Sequence, residues 1–315
     1  MSMEQTLAQI IRREIYQPVP QAVQTAAQGV RDRHGDGVAA ILFYGSCLRD
    51  QSVEGKVIDF YVLVEHYHNI HKSWIMSTAN ALLPPNVYYL EVPDDGGTVR
   101  IKYAVYTLNA FNRGASQRTI QSTIWARFAQ PCILLYARSD AVEGRIVSAL
   151  VKSITTLMKL TTPLMATTFT SKELWVRAFQ ESYRSELRAE RSDRPAQLYD
   201  HFEMRYEKLS KLCLIGAEQQ ESQPQTPTRY RNSSGKWARA LTQTRCVVRR
   251  FYGKFLTILR LVKAAFTFDG GLDYILWKIE THSAVRVRPT PWQERHPVLA
   301  APILAWRLYR QGAFR

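Results

Sequence analysis

Two apolar runs separated by a short polar stretch constrain this chain more than anything else in it. Residues 38–44 (VAAILFY) end at Gly45-Ser46, and residues 57–64 (VIDFYVLV) follow a polar segment at 49–56. Each run has the length of a strand and is rich in β-branched and aromatic residues, so both are predicted to be buried strands. The second holds one carboxylate, Asp59. A charge in such a strand is costly unless something compensates it, so Asp59 either pairs with a structural arginine, caps a turn, or serves a site.

Around these strands the pattern is that of a mixed α/β half. Leu7, Ile10, Ile11 and Ile15 fall at helical spacing, and a second helical stretch runs over 20–33 up to the breaker His34-Gly35-Asp36-Gly37. A helix is predicted over 71–82. Strands are predicted over 86–91 and 98–106, joined by the turn residues Pro93-Asp94-Asp95-Gly96-Gly97. In the second strand of this hairpin Arg100 and Lys102 share the face opposite Val99, Ile101, Tyr103 and Val105. A helix over 119–128 and a strand over 132–136 complete this half. Long amphipathic segments follow at 145–160, 172–191 and 196–216, and the Pro/Ser/Gln-rich stretch 216–235 reads as a mobile loop. His66, His68 and His71 read as solvated loop histidines.

Charge is distributed unevenly. Forty-two Lys and Arg against 27 Asp and Glu give +15, which implies a polyanionic partner: nucleic acid, anionic lipid or a phosphorylated substrate. Residues 1–160 hold 16 basic and 13 acidic side chains, whereas 161–315 hold 26 and 14. Residues 229–263 contain ten Lys and Arg and no acid. Within them Val248, Phe251, Tyr252, Phe255, Leu259 and Val262 recur at helical spacing, flanked by Arg245, Arg249, Arg250, Lys254, Arg260 and Lys263. That pattern suits a helix lying in an anionic membrane surface; a core helix with a basic edge is the alternative. Residues 270–278 begin another amphipathic helix. Near the end Leu299, Ile303, Leu304, Trp306, Leu308 and Tyr309 accompany Arg307, Arg310 and Arg315, a composition suited to lipid headgroups.

Several classes are excluded. No apolar run approaches the ~20 residues needed to cross a bilayer, and the N-terminus has neither the apolar core of a secretory signal nor the acid-poor composition of a transit peptide. Cys47, Cys132, Cys213 and Cys246 lack metal-ligand spacing and are expected to be reduced thiols in a cytosolic compartment. The seven histidines show no Ser-His-Asp, Cys-His or paired-His spacing.

A strand ending in Gly-Ser followed by an aspartate inside the next apolar strand resembles the palm of the polymerase-β-like nucleotidyltransferases. Gly45 lets the backbone approach a phosphate, Ser46 offers its hydroxyl and amide to a triphosphate, and Asp59 on a rigid strand can ligate Mg²⁺. Where the usual pattern has a second carboxylate, two residues on, this chain has Tyr61.

More narrowly, Tyr44-Gly45-Ser46, then 57–60 (VIDF), 100–105 (RIKYAV), 126–131 (ARFAQP), 182–188 (SYRSELR) and 262–267 (VKAAFT) resemble the mitochondrial-type phosphatidate cytidylyltransferases. These are the translocator assembly and maintenance proteins, peripheral CDP-diacylglycerol synthases. The motifs keep their order over most of the chain. The resemblance implies an α/β (α+β) fold: a nucleotidyltransferase palm over 1–145, a mainly helical winged-helix-like domain over 146–235, and a basic amphipathic membrane-docking region over 236–315. It implies CTP and phosphatidate as substrates and Mg²⁺ as cofactor. Gly45, Ser46, Arg100, Lys102 and Arg127 would then contact the nucleotide, and Asp59, Ser46, Lys102 and Glu186 would act in catalysis, with Asp59 and Glu186 as metal ligands. Arg188, Arg245, Arg249, Arg250, Lys254 and Trp306 would meet the lipid. Ala104 replaces a glycine of the family. The expected location is cytoplasmic, peripheral on the cytoplasmic face of the inner membrane, with neither nucleic acid nor a protein partner. A transferase acting on RNA and a non-catalytic membrane-binding module on a degenerate palm are the rival readings.

Overall fold

Helix signals and strand alternation are realised in the computed structural model, which describes residues 2–71, 73–94, 97–185, 193–214, 219–220, 228–267, 289–295, 300, 303–304, 306–307 and 310. In chain order the elements are α1 (Met3–Glu14), α2 (Gln21–His34), β1 (Ala40–Tyr44), α3 (Ser46–Asp50), β2 (Val57–Val64), α4 (Trp74–Leu82), β3 (Asn86–Asp94) and β4 (Gly97–Thr107). Next come α5 (Leu108–Gly114), α6 (Thr123–Phe128), β5 (Ile133–Ala137), α7 (Asp140–Thr161), β6 (Thr168–Thr170), α8 (Ser171–Arg184), α9 (Arg194–His201) and α10 (Glu203–Cys213). The last are β7 (Gln219–Gln220), β8 (Arg229–Arg231), α11 (Lys236–Thr267) and α12 (Pro291–Arg295). The chain is a mixed α/β protein, compatible with the α+β class.

Two compact units emerge, each discontinuous in sequence. One comprises Met1–Pro18 and Thr107–Ile258, the other Val19–Tyr106 and Leu259–Arg315. The segments 1–145, 146–235 and 236–315 expected from the sequence are therefore each not confined to one unit or do not fill it.

In the second unit four strands lie side by side in the order β3-β4-β2-β1. β1 and β2 are antiparallel with Tyr44 opposite Asp59, and β3 and β4 form an antiparallel hairpin with Tyr89 opposite Lys102. Ile41, Leu42, Phe43, Ile58, Phe60, Val62 and Leu63 are buried, as their unbroken apolar runs require. Helix α2 packs on β3, where Gly29 leaves room for the Val92 side chain. Tyr88 and Tyr103 stack at 5.2 Å, and the Tyr103 hydroxyl shares a hydrogen bond of 2.7 Å with His34.

His71 corrects the sequence reading. His66 and His68 are exposed and stack on each other, but His71 is buried between the Tyr88 hydroxyl (2.6 Å) and the Asn80 amide (3.0 Å). Its partners lie 9 and 17 residues further along the chain, beyond the reach of a local pattern. Burial, with nearby Lys263 adding to it, pushes its pKa down from 6.5 to about 4. The unfolded chain thus takes up this proton first as pH falls, so stability declines between about 6.5 and about 4 and levels off below. The gap corresponds to roughly 3 kcal/mol. Melting temperatures across that window are expected to fall with pH in the unmutated protein and to lose most of this slope in His71→Gln; an unaltered slope would remove His71 from the account.

The first unit is built on α7, whose Ile146, Leu150, Ile154 and Leu157 form a buried row against α1, α5, α6 and α8. Capping boxes begin α1 (Ser2 with Gln5) and α8 (Thr170 with Glu173), and Ser139 caps α7. Trp175 and Phe179 of α8 pack on Tyr206 of α10, and the Trp175 indole donates to Ser210 Oγ at 3.0 Å. The helical stretch expected over 196–216 is two helices, because the backbone turns out of the helix at Phe202. Helix α5 and strand β6 were not expected from the sequence.

Part of the stretch 216–235, read as a loop, is β-structure. β8 is the middle strand of a small sheet ordered β6-β8-β7, with Tyr230 opposite Phe169 and fully buried. Its one buried aromatic packs on Phe169 with ring centres 6.0 Å apart, and no alternation over three residues could have announced it. The rest of that stretch, up to residue 227, and the helix expected over 270–278 lie outside the described residues.

Candidate functional site

Gly45 stands between β1 and α3 with φ +97°, a conformation L side chains rarely adopt. A Cβ there would sit 3.3 Å from Asp59 Oδ2. The backbone thus passes directly over the Asp59 carboxylate, one strand away, and a side chain would fill the space. Ser46 opens the five-residue helix α3. Asp59 is 28% exposed, and Lys102 Nζ on β4, the strand beside β2, lies 3.7 Å from its Oδ1. Gly45, Ser46, Asp59 and Lys102 are therefore gathered at one place in the second unit.

Arg100 projects on the same face of β4 as Lys102. Its Nε donates to Glu91 Oε1 at 3.2 Å, and the Tyr89 hydroxyl donates to the same oxygen at 2.7 Å. Burial, then the bond to Glu91, raises the Tyr89 phenol above its ordinary value. Glu91 and Tyr89 were missed by sequence reading. Their positions opposite Arg100 and Lys102 follow from hairpin register, which the turn at 93–97 could have supplied.

Tyr61, where a second carboxylate would stand, is buried, stacked on Tyr106 at 5.4 Å and edge-on to Tyr44 at 5.1 Å. Cys47 is buried beside the site and donates to the Val57 carbonyl. Burial first, and the Asp59 charge second, push its thiol up, so it offers no thiolate at neutral pH.

Mg²⁺ is the metal the resemblance implies. Among the described residues no three His, Cys, Asp or Glu side chains cluster as a metal cage. One part-exposed carboxylate facing a glycine backbone is compatible with Mg²⁺, which is commonly held by one or two carboxylates together with substrate phosphates. Glu186, the second expected ligand, and Arg188 lie outside the described residues.

The other expected residues are elsewhere. Arg127 ends α6 in the first unit, half-buried. On α11, Arg245 and Lys254 are exposed, as is Trp306 further on. Arg249 is not: its guanidinium lies 5.1 Å from the Trp125 ring centre and its Nε donates to the Ile120 carbonyl at 2.9 Å. Arg250 reaches Glu181 at 2.7 Å. Arg260 donates to the Pro84 carbonyl, and Lys263 to those of Leu83 and Pro85. Burial, then Arg260, lowers the Lys263 pKa to about 8. These four cations, placed by helical spacing on the flanks of a membrane helix, bond to protein.

The apolar residues of α11 behave differently. Trp237, Leu241, Val247, Val248, Phe251, Phe255 and Ile258 are exposed, Phe251 at 74% and Phe255 at 57%. Among the described residues no helix is long and apolar enough to cross a membrane. The sequence matches no protein-family model, and no curated protein matches it as a relative.

Proposed function

We propose that the protein is a nucleotidyltransferase that moves CMP from CTP to phosphatidate, giving CDP-diacylglycerol and diphosphate. The observation that carries the reading is the juxtaposition of Gly45, Asp59 and Lys102: bare backbone at the end of β1, and a carboxylate and a cation on the strands β2 and β4 of the same sheet, within a few ångströms. The reading takes that sheet as the palm of a polymerase-β-like fold. It takes the helices with the β6-β8-β7 sheet as the winged-helix-like part.

A phosphate oxygen of phosphatidate attacks the α-phosphorus of CTP, a new P–O bond forms, and the bond to the β-phosphate oxygen breaks as diphosphate leaves. Asp59 would hold Mg²⁺, which would supply positive charge against the triphosphate and the departing diphosphate. Gly45 allows the triphosphate against the main chain, Ser46 donates to it, and Lys102 places a positive charge where two polyanions must meet. Arg100, oriented by Glu91 and Tyr89, is a further phosphate contact. The attacking group needs no strong base, since a phosphate monoester has its second pKa near 6 and is largely dianionic at neutral pH.

Membrane binding would come through the exposed aromatic residues of α11, flanked by Arg245 and Lys254, with Trp306 of the second unit a separate candidate contact. On this reading the protein is a peripheral enzyme on the cytoplasmic face of the inner membrane. The buried Tyr61 stack favours one rival, a membrane-binding module on a palm without chemistry. Labelled CTP with Mg²⁺ and either phosphatidate vesicles or RNA separates the readings: label in CDP-diacylglycerol is the expected result. Label in RNA would reassign the acceptor, and label in neither would support the module.

A further inference from the structure

Glu181 on α8 is 6% exposed and is held by three arginines at once. Arg177 reaches its Oε1 at 3.1 Å, Arg184 reaches the same oxygen at 3.1 Å, and Arg250 of α11 reaches Oε2 at 2.7 Å. All four residues belong to the first unit. Arg177, Glu181 and Arg184 share one helix face through their spacing of four and three residues, and α11 brings the third cation across.

One carboxylate cannot balance three guanidiniums. Among the described residues the cluster keeps two positive charges in excess, and its bonding is incomplete as well: Arg177 Nε and Arg250 Nε are buried with no hydrogen-bond partner among them. Crowding three cations around a single buried anion is costly, and leaving buried donors unmade adds to the cost. Yet the outer sides of Arg177, Arg184 and Arg250 remain accessible, with side chains between about a third and a half exposed. An anion arriving from solvent would meet guanidinium groups already oriented by Glu181.

We infer that Arg177, Arg184 and Arg250 form a binding site for a phosphate monoester, with Glu181 as the residue that positions them. The charge selects the ligand class. A monoester carries close to two negative charges at neutral pH, matching the excess, whereas a diester or a carboxylate carries one. Arg250 lies next to Phe251 and Lys254 on α11, so the monoester is either the headgroup of a lipid or a free soluble phosphate. The site rests on the first unit alone and stands or falls independently of Asp59.

The test uses the full chain, titrated by calorimetry with glycerol 3-phosphate, and by sedimentation with phosphatidylcholine vesicles containing either phosphatidate or phosphatidylglycerol. Glycerol 3-phosphate is expected to bind, and its affinity to drop about tenfold or more in Arg184→Gln and Arg177→Gln. Lys172→Gln, which removes an exposed cation of α8 paired with Asp200, is expected to bind as the unmutated protein does. Arg184 is the most exposed of the three, so its variant keeps the comparison valid if Arg177→Gln folds poorly; melting temperatures report which has happened. Preference for phosphatidate over phosphatidylglycerol vesicles, competed by glycerol 3-phosphate, identifies the lipid source. Binding of the soluble monoester without that preference identifies the free one. No measurable glycerol 3-phosphate binding, or equal affinity in the unmutated protein and folded Arg184→Gln, overturns the site.

Discussion

Asp59→Ala is expected to lower CMP transfer to phosphatidate by about 10²–10³-fold or more while leaving the melting temperature within a few degrees of the unmutated protein. On the proposed function the size follows from losing the carboxylate that would hold Mg²⁺ against the triphosphate. Fold retention follows from the surroundings. The Asp59 side chain is 28% exposed, and its partner Lys102, 36% exposed, can turn to solvent when the carboxylate goes. Exposed pairs of this kind contribute little to stability, typically below about 1 kcal/mol. Asp59→Asn keeps the shape and removes the charge, so it separates electrostatics from packing against Gly45: both variants are expected to be comparably slow. Turnover measured at saturating CTP and Mg²⁺ decides the matter, and equal rates in Asp59→Ala and the unmutated protein would strip Asp59 of its proposed role.

The largest effect on stability is expected at Glu181. Its replacement by Ala leaves Arg177, Arg184 and Arg250 facing one another around a small void with their shared counter-charge gone. Breaking a buried ionic cluster by removing one sign typically costs about 3–5 kcal/mol. The arginines are part-exposed and can swing outward, which places the expected loss toward the lower end. Urea denaturation of the full chain measures it. Glu181→Gln, which still accepts hydrogen bonds from two guanidiniums, is expected to lose less. A change below about 1 kcal/mol in Glu181→Ala would show that the cluster behaves as a solvated surface network.

What could be seen in the sequence was whatever depends on near neighbours. The strands β1 and β2 were legible because unbroken apolar runs of that length have few alternatives, and Asp59 stood out because a carboxylate there needs a reason. The hairpin β3-β4 was legible from its turn. Side chains whose partners are far along the chain were not. His71 looked like a loop histidine because Asn80 and Tyr88 complete its pocket from another helix and strand. Arg249 sat on the polar edge of a helical pattern, while its actual cover is Trp125, more than a hundred residues upstream. The Arg177/Glu181/Arg184 face was readable as a charged helical stripe, but Arg250, which turns it into a cluster, arrives from α11.

Helix α11 answers to two requirements at once, and this shapes how the protein can be altered. Thr242, Cys246, Arg249, Gly253 and Leu256 run along one side at spacings of three and four. All but Gly253 are buried, and Gly253 lies so close to the Ser185 carbonyl that an added methyl would collide with it. Trp237, Leu241, Phe251 and Phe255 occupy other sides and face outward. Handling properties can therefore be engineered separately from folding: polar replacements at the outward positions make the purified protein less sticky, whereas the same replacements along the inner row would dismantle what the helix is fastened to.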